Sequence, residues 1–401
     1  MLTKKRGIGI KILHTVENYF PSVGGMQEVV KRLSELMVKM GHSVTVATSF
    51  NRDRTAEDIN GVKIANFNLK GNMVHRITGD IDGYRKFVVE SNFDIMTNFA
   101  AQQWATDALL PIMDQVKKIK KVFVPTGFSG LYLPEYQTYF ESMKSWFKMY
   151  DASVFLSDNY RDVNFARAGG VNNLVLIPNG ASAEEFESSS VLDIRSKLGI
   201  PIDNFLILHV GSHTSSKGHR EAIKIFKEAE IKNSTFLLIG NILGNGGCAK
   251  KCEFQKSVFN ISRRHRVNQQ RIIIAALSRE ETVAAYKSAD LFLFPSNIEC
   301  SPIVLFECMA SKTPFLTTDV GNALEIIDWS GAGIALPTIK DSKEFSRAEI
   351  KSSARILENI YYDKNKRNEM ANNGYLAWQE KFTWEKIARS YEELYLSLLR
   401  G

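Results

Sequence analysis

Short apolar runs alternate with amphipathic stretches from the start of the chain. The apolar run at 8–13 predicts a strand, and a polar loop is expected at 14–25. Apolar residues then recur with a period near 3.6, which predicts a helix: Val29, Val30, Leu33, Leu36, Met37 and Met40. Gly41 stands where a left-handed cap ends such a helix, and the run at 44–48 predicts the next strand. A strand, a helix and a parallel strand of this length predict a right-handed βαβ unit.

A second region with the same order of elements begins near residue 205. It contains predicted strands at 205–210, 235–239, 272–275 and 291–294, and predicted helices at 221–230, 280–288 and 303–310. Two regions with this order of strands and helices predict an α/β protein with two Rossmann-like, doubly wound domains that face each other across a cleft. The polar stretch 179–201 is the expected join, which predicts domains at 1–185 and 186–380. The amphipathic segment 381–401 is predicted to be a helix that crosses back to the first domain.

Composition and charge exclude two classes of protein. With 44% hydrophobic and 24% charged residues, the chain has a globular composition, which excludes a disordered protein. The net charge is +7, and segment 250–271 alone holds seven basic residues against one acidic residue. Because the rest of the chain is nearly neutral, a general nucleic-acid binder is excluded.

The sequence also predicts where the protein resides. The N-terminus lacks the apolar run and cleavage site of a signal peptide, and no apolar stretch is long enough to span a membrane. We therefore expect a cytoplasmic protein. Phe254, Val258 and Ile261 give the basic segment an apolar edge, which is typical of a solvated helix. Attachment to anionic lipid, with the protein peripheral at the inner membrane face, is the alternative interpretation.

The cysteines and one pair of aspartates are the candidate metal ligands that the sequence offers. The chain has four cysteines: Cys248, Cys252, Cys300 and Cys308. They form no disulfide framework, and no second pair completes a zinc site beside the first two, so we interpret all four as reduced thiols. Asp80-Ile81-Asp82 precedes Gly83 in a polar segment and is interpreted as a turn. The sequence therefore predicts no metal.

Two predicted loops at the carboxyl ends of strands carry candidate anion-binding groups, since open parallel sheets bind ligands there. Gly24 and Gly25 precede the first helix, where free N–H groups attract anions; a flexible turn is the alternative. The loop 211–218 is not a P-loop, because no GxxxxGK[ST] pattern fits it. Lys217 in this loop suits a phosphate as a point charge, although a solvated surface lysine has the same pattern.

A third loop leads into the predicted helix 303–310. Ser301 is the expected N-cap and Pro302 the expected first helical residue. The N–H groups of Ile303 and Val304 are then expected to point at the cleft, where they can bind an anion.

Two glutamates lie at this loop and helix. Glu299 is on the loop, and Glu307 lies in an otherwise apolar helix. A carboxylate in such a setting needs hydroxyl or amide partners, and a ribose diol supplies two hydroxyls.

Segment 295–327 resembles the E-x7-E signature of the retaining GT-B glycosyltransferases, specifically family 4. Further segments follow in that family's order at 21–30, 41–48, 177–180, 209–219, 288–296 and 382–395, so the resemblance spans essentially the whole chain. It implies a retaining, metal-independent transferase of the hexosyltransferase type. The implied substrates are a UDP- or GDP-sugar and a glycan or lipid-linked acceptor, with no cofactor, in cell-surface polysaccharide synthesis.

The resemblance also implies residue roles. Glu307 would hold the ribose hydroxyls, Glu299 the hydroxyls of the sugar, and Lys217 the diphosphate. The implied catalytic residues are thus Glu299 and Lys217. The implied donor-binding residues are Gly24, Gly25, Gly211, Ser212, Lys217, Glu299, Ser301, Ile303, Val304 and Glu307.

Two positions depart from the family's pattern. Ser212 stands where members usually have an arginine, and Thr126 stands where many have a histidine close to the transferred sugar. Candidate substitutes for the arginine are His213, His219 and Arg220. The alternative hypothesis is therefore a catalytically weak or inactive GT-B nucleotide-binding or scaffold subunit. A dehydrogenase is excluded because no GxGxxG follows either first strand, and the E-x7-E pattern does not support a nucleotide-sugar epimerase.

The predicted helix 135–150 carries an aromatic stripe of Tyr136, Tyr139, Phe140, Met143, Phe147 and Tyr150. We interpret the stripe as core packing, with an acceptor-facing or membrane-facing surface as the alternative.

Overall fold

The computed structural model describes residues 9–188, 192–241, 247–342 and 344–401. The N-terminal residues 1–8, which include the start of the first predicted strand, and residues 189–191 of the expected join lie outside the described residues. The chain divides into two compact units, Met1–Asn179 with Trp384–Gly401, and Gly180–Thr383. The predicted boundaries were 185/186 and 380/381.

The first unit is built on an eight-stranded sheet in the order β10-β9-β8-β7-β1-β2-β4-β3, parallel throughout except for β3. The strands of this sheet are β1 (Lys11–Thr15), β2 (Ser43–Ser49), β3 (Asp58–Ile59), β4 (Val62–Phe67), β7 (Ile95–Phe99), β8 (Lys120–Val124), β9 (Ala152–Phe155) and β10 (Leu174–Leu176). Strands β5 (Leu69–Lys70) and β6 (Thr78–Gly79) form a separate antiparallel pair in this unit. Its helices before the second unit are α1 (Gly25–Lys39), α2 (Ile81–Val89), α3 (Trp104–Asp107), α4 (Gln137–Trp146) and α5 (Arg161–Ala168).

The second unit is built on a six-stranded parallel sheet in the order β13-β12-β11-β14-β15-β16. The strands of this sheet are β11 (Phe205–Val210), β12 (Ser234–Ile239), β13 (Gln270–Ala275), β14 (Leu291–Phe294), β15 (Phe315–Thr317) and β16 (Gly333–Ala335). Strands β17 (Thr338–Lys340) and β18 (Ser346–Ala348) form a separate antiparallel pair in this unit. Its helices are α6 (Ala183–Phe186), α7 (Ile194–Lys197), α8 (His219–Glu228), α9 (Gly247–Ile261), α10 (Arg263–Val267), α11 (Arg279–Ser288), α12 (Ile303–Ala310), α13 (Ala323–Ser330), α14 (Ile350–Tyr362) and α15 (Lys364–Ala377). This strand order is that of a doubly wound fold, so the switch point lies between β11 and β14. The predicted class, two Rossmann-like α/β domains with parallel sheets, is confirmed.

The last helix, α16 (Trp384–Arg400), belongs to the first unit and packs on α1. Ile387, Tyr391 and Tyr395 on its inner face are buried. The hydroxyl of Tyr395 lies 2.7 Å from Oγ1 of Thr97 in the sheet. The end of the chain is therefore part of the core that β1 and β7 build.

The first strand begins at Lys11 and ends at Thr15, two residues after the end of the predicted strand 8–13. His14 was expected in a polar loop, but it lies in β1 and is fully buried. Its Nδ1 lies 2.8 Å from Oγ of Ser34 on α1, and this hydrogen bond makes a buried imidazole tolerable. Burial lowers the pKa of His14 to about 3, so the ring is neutral.

Two other predictions concern helices of the first unit. The aromatic stripe is buried along α4 and the 3₁₀ turns that flank it, which confirms core packing. The segment interpreted as a turn is a helix start, because Asp80 caps α2 by accepting a hydrogen bond from the Gly83 N–H at 2.9 Å. Among the described residues, no helix is both long enough and apolar enough to cross a bilayer.

Candidate functional site

The loops that follow β11 and β14 carry the two predicted catalytic residues. These strands are hydrogen-bonded neighbours at the switch point of the second sheet, so their carboxyl ends lie side by side. Nζ of Lys217 lies 2.7 Å from Oε1 and 2.8 Å from Oε2 of Glu299. The fold thus brings together two predicted residues that are 82 positions apart.

Short-range contacts lock the two loops together. Ser296 Oγ donates a hydrogen bond to Glu299 Oε1 at 2.8 Å, and the Asn297 N–H donates to the Ser216 carbonyl at 2.8 Å. Gly218 caps α8 in the left-handed region with φ of +71°, and a Cβ there would stand 1.8 Å from the Pro295 carbonyl oxygen. Only glycine permits this approach, and the approach positions Lys217 beside Glu299.

The ion pair is partly open to solvent. The side chain of Glu299 is 11% exposed and that of Lys217 is 31% exposed. A ligand can therefore reach the ammonium group, whereas the carboxylate is held more deeply by its neighbours.

Glu307 is buried, and its partner was not foreseen from the sequence. Its Oε1 lies 2.6 Å from Nη1 of Arg279, the first residue of α11, and the same guanidinium lies 2.7 Å from Glu185. The protein itself therefore supplies a guanidinium partner for this carboxylate, and the expected contact with a ribose diol stays a prediction. Burial, followed by the nearby Glu307 charge, raises the pKa of Tyr286 well above its usual range. The sequence offered one indication for Arg279, which is that it follows the carboxyl end of strand β13, where parallel sheets bind ligands.

Helix α12 has the predicted bounds, but its N-cap lies one residue later than predicted. The N-cap is Pro302, not Ser301, because Pro302 has an extended backbone with ψ of 108°. A proline side chain offers no capping hydrogen bond, and the first N–H groups of a helix, here those of Ile303 and Val304, have no acceptor within it. Ser301 is buried beside this helix start.

Gly24 and Gly25 lie in the first unit, apart in sequence and in unit from the other predicted residues. Gly24 is the N-cap of α1 and is extended, with φ of 174°. A Cβ at Gly24 would meet only the flexible end of Gln27, so its conformation alone does not require glycine. The role of the glycine pair in binding an anion stays a prediction.

The loop that contains Gly211 and Ser212 holds two of the candidate substitutes for the missing arginine. His213 and His219 are buried and stack with ring centroids 4.2 Å apart, while Nε2 of His219 donates to the Gly211 carbonyl at 2.9 Å. Burial lowers the pKa of His213 and lowers that of His219 to about 2. Both rings are therefore neutral and add no positive charge. Arg220, by contrast, is exposed at the start of α8.

Thr126, where many family members have a histidine, lies in a strained loop after β8. Its φ is +61°, and Gly127 and Phe128 follow with φ of +97° and +48°. The carboxylate of Asp162 accepts a hydrogen bond from the Gly127 N–H at 2.8 Å, and burial raises the pKa of Asp162 to about 6. A β-branched residue in the left-handed region is rare, so this loop is more than a simple turn.

Comparison with known proteins gives a family match for the second unit. Residues 191–377 match the family described as Glycosyl transferases group 1. An uncharacterized glycosyltransferase of Methanocaldococcus jannaschii is 24% identical over 408 residues, covering 96% of this chain and 98% of that protein. A lipopolysaccharide 1,2-N-acetylglucosaminetransferase of Salmonella typhimurium is 25% identical over 250 residues, 61% of each protein.

Solved structures support the fold assignment. The structure of Anabaena HepE in complex with UDP and glucose has a TM-score of 0.72 at 16% identity, over 97% of this chain and 100% of that one. At this identity the likeness shows the fold alone, and that fold is the predicted GT-B fold. The chain is thus similar to glycosyltransferases in sequence, most clearly over residues 191–377, and it has the GT-B fold.

Proposed function

We propose that this protein is a retaining, metal-independent glycosyltransferase of family 4. It would transfer a hexose from a UDP- or GDP-sugar to a glycan or lipid-linked acceptor, in the synthesis of a cell-surface polysaccharide. The observation that carries the proposal is the Lys217–Glu299 pair at the switch point of the second sheet. HepE, which shares the fold, was crystallised with UDP and glucose, and the Salmonella relative is named for lipopolysaccharide synthesis.

The proposed chemistry starts from the charge on the leaving group. As the bond between sugar and phosphate breaks, negative charge grows on the departing diphosphate, and a positioned ammonium stabilises it. Lys217 supplies that ammonium, and the first-turn amides of Ile303 and Val304 add N–H donors. Glu299 first holds Lys217 in place and then accepts hydrogen bonds from the hydroxyls of the sugar.

The nucleoside would bind at Glu307. A carboxylate has about four lone-pair sites, so its contact with Arg279 leaves capacity for a ribose diol. Because Glu307 is held by Arg279, its carboxylate is oriented before the nucleotide arrives, which reduces the entropy lost on binding.

The test measures release of free nucleoside diphosphate from a panel of UDP- and GDP-sugars, with and without lipid-linked acceptors. Turnover with one donor is expected without added Mg²⁺ or Mn²⁺, and adding either ion should not increase it. The anomeric configuration of the product, read by NMR, decides between retention and inversion. Tight nucleotide binding without turnover for any donor would contradict the proposed enzyme activity and favour the scaffold subunit, which Ser212 and Thr126 motivate.

The basic segment supplies a second proposed property, a peripheral contact with anionic membrane. Phe254 and Ile261 on α9 are 71% and 72% exposed, and Val258 between them is 45% exposed. Arg263 and Arg264 follow on α10. An apolar edge beside clustered cations is typical of helices that lie on an anionic bilayer.

A further inference from the structure

A buried cluster of metal-ligand side chains lies in the second unit, outside the proposed donor contacts. Cys248 and Cys252 are four residues apart on α9, so their side chains share one face of the helix. His213 belongs to the loop after β11. One ligand atom from each of the three residues lies within 4.8 Å of the others.

The imidazole of His213 carries the second observation. The residue is 3% exposed, and its Nδ1 has no hydrogen-bond partner among the described residues. A buried ring nitrogen without a partner costs about 1–3 kcal/mol, so such atoms generally have a ligand. The backbone N–H of His213 donates to the Asn241 carbonyl at 2.9 Å, and the ring of His219 stacks on the His213 ring with centroids 4.2 Å apart.

We propose that His213, Cys248 and Cys252 bind one Zn²⁺ ion. One imidazole and two thiolates are a ligand set that zinc prefers, and bonds of about 2.0–2.3 Å place tetrahedral ligand atoms roughly 3.5–3.8 Å apart. Because the ligand atoms already lie within 4.8 Å of one another, each pair needs to close by at most about 1.3 Å, which small side-chain rotations supply. Binding forms one Zn–N and two Zn–S bonds, releases both thiol protons to solvent, and leaves the fourth position to water.

The ion would be structural. It would join the loop that carries Lys217 to helix α9, since His213 and Lys217 belong to the same eight-residue loop, Gly211 to Gly218. The transfer chemistry stays metal-independent, because none of the proposed donor-contacting residues is a ligand of the ion. The sequence predicted no metal, since it did not connect His213 with the two cysteines.

The experiment measures zinc in protein purified under reducing conditions. One zinc per chain is expected, and Co²⁺ added to the zinc-free protein should produce a thiolate-to-cobalt charge-transfer band. Cys252→Ser and His213→Asn should each weaken zinc binding by about ten-fold or more. Cys308→Ala is the matched control: it removes a buried helical cysteine of the same unit that is outside the cluster, and it should keep one zinc.

Thermal unfolding separates loss of the site from loss of the fold. Zn²⁺ should raise the Tm of the wild type and of Cys308→Ala, but not that of Cys252→Ser, because only a ligand that binds the folded state stabilises it. The proposal would be overturned if the wild type contained no more zinc than Cys252→Ser and gave no cobalt band. It would also be overturned if Cys248 and Cys252 formed a disulfide in protein purified under reducing conditions. These readouts do not depend on glycosyl transfer.

Discussion

The ammonium nitrogen of Lys217 lies 2.7 Å and 2.8 Å from the two carboxylate oxygens of Glu299. This two-oxygen contact pairs the charges of the two predicted catalytic residues and makes each residue hold the other in position. Removing either one leaves a partly buried charge without its main partner, which costs free energy. Substitutions of Lys217 or Glu299 therefore need control substitutions at nearby residues that cause the same change in net charge or remove a contact with the pair.

Lys217→Ala should lower kcat about ten- to a hundred-fold, because the departing diphosphate loses its cation. Steady-state release of nucleoside diphosphate measures the effect. Lys224→Ala removes an exposed lysine from α8 and controls for net charge. Wild-type turnover in Lys217→Ala would move the phosphate contact elsewhere, with Arg220 as the next candidate.

Glu299→Gln should change binding and turnover in opposite directions. The substitution releases Lys217 from its carboxylate, so affinity for free UDP or GDP should rise about five-fold, equal to about 1 kcal/mol. Turnover should fall because the hydroxyls of the sugar lose a charged acceptor. Calorimetry and initial rates measure the two effects. Ser296→Ala removes the contacts of this hydroxyl with Glu299 and with the Ser216 carbonyl but keeps the Glu299 carboxylate, so it should show a weaker form of both effects. A loss of nucleotide affinity in Glu299→Gln would contradict the reasoning.

Glu307→Gln should weaken nucleotide binding by about 1.5–3 kcal/mol, the range for a hydrogen bond to a charged group. The matched control is Glu185→Gln, which removes the other carboxylate on the Arg279 guanidinium. An equal loss in both variants would assign the effect to Arg279 instead of the ribose. Unchanged affinity of Glu307→Gln for both UDP and GDP would reject the ribose contact.

Thr126→Gly should be more stable than Thr126→Ala by about 1 kcal/mol, because glycine adopts a φ of +61° without a steric cost. Urea unfolding of both variants measures the difference. If Thr126→Ala is as stable as Thr126→Gly, the loop after β8 changes its conformation when the side chain is shortened. The hydrogen bond from Gly127 to Asp162 then does not hold residue 126 in the left-handed region.

Changing Arg263, Arg264 and Arg266 together to Ser should weaken binding to anionic vesicles by about 3 kcal/mol, since each cation near the bilayer contributes about 1 kcal/mol. Vesicle sedimentation at rising salt measures this binding. The control changes three exposed cations of the first unit, Lys70, Lys117 and Lys118, and should bind like the wild type. If the wild type never sediments with the vesicles, the basic segment is a solvated face.

The strands and helices that position the donor-side residues follow from the sequence. Strands β11 and β14 and helix α12 have the predicted bounds, because strands buried on both faces of a parallel sheet read as uninterrupted apolar runs. The proximity of Lys217 to Glu299 also follows once the strand order is known. Helix ends were less well determined: Pro302 replaces Ser301 as the cap because one ψ angle decides it.

What the sequence determined by itself is the order of elements, the two-domain class and the residue types available at the strand ends. Only the tertiary structure decided which distant side chains share a contact: His14 with Ser34, Arg279 with Glu307, and His213 with Cys248 and Cys252. Hydrophobic periodicity reports which face of an element is buried, and it carries no information on which polar groups meet there. Those pairs are selected during packing, where a buried polar group is stable only if its neighbours satisfy it.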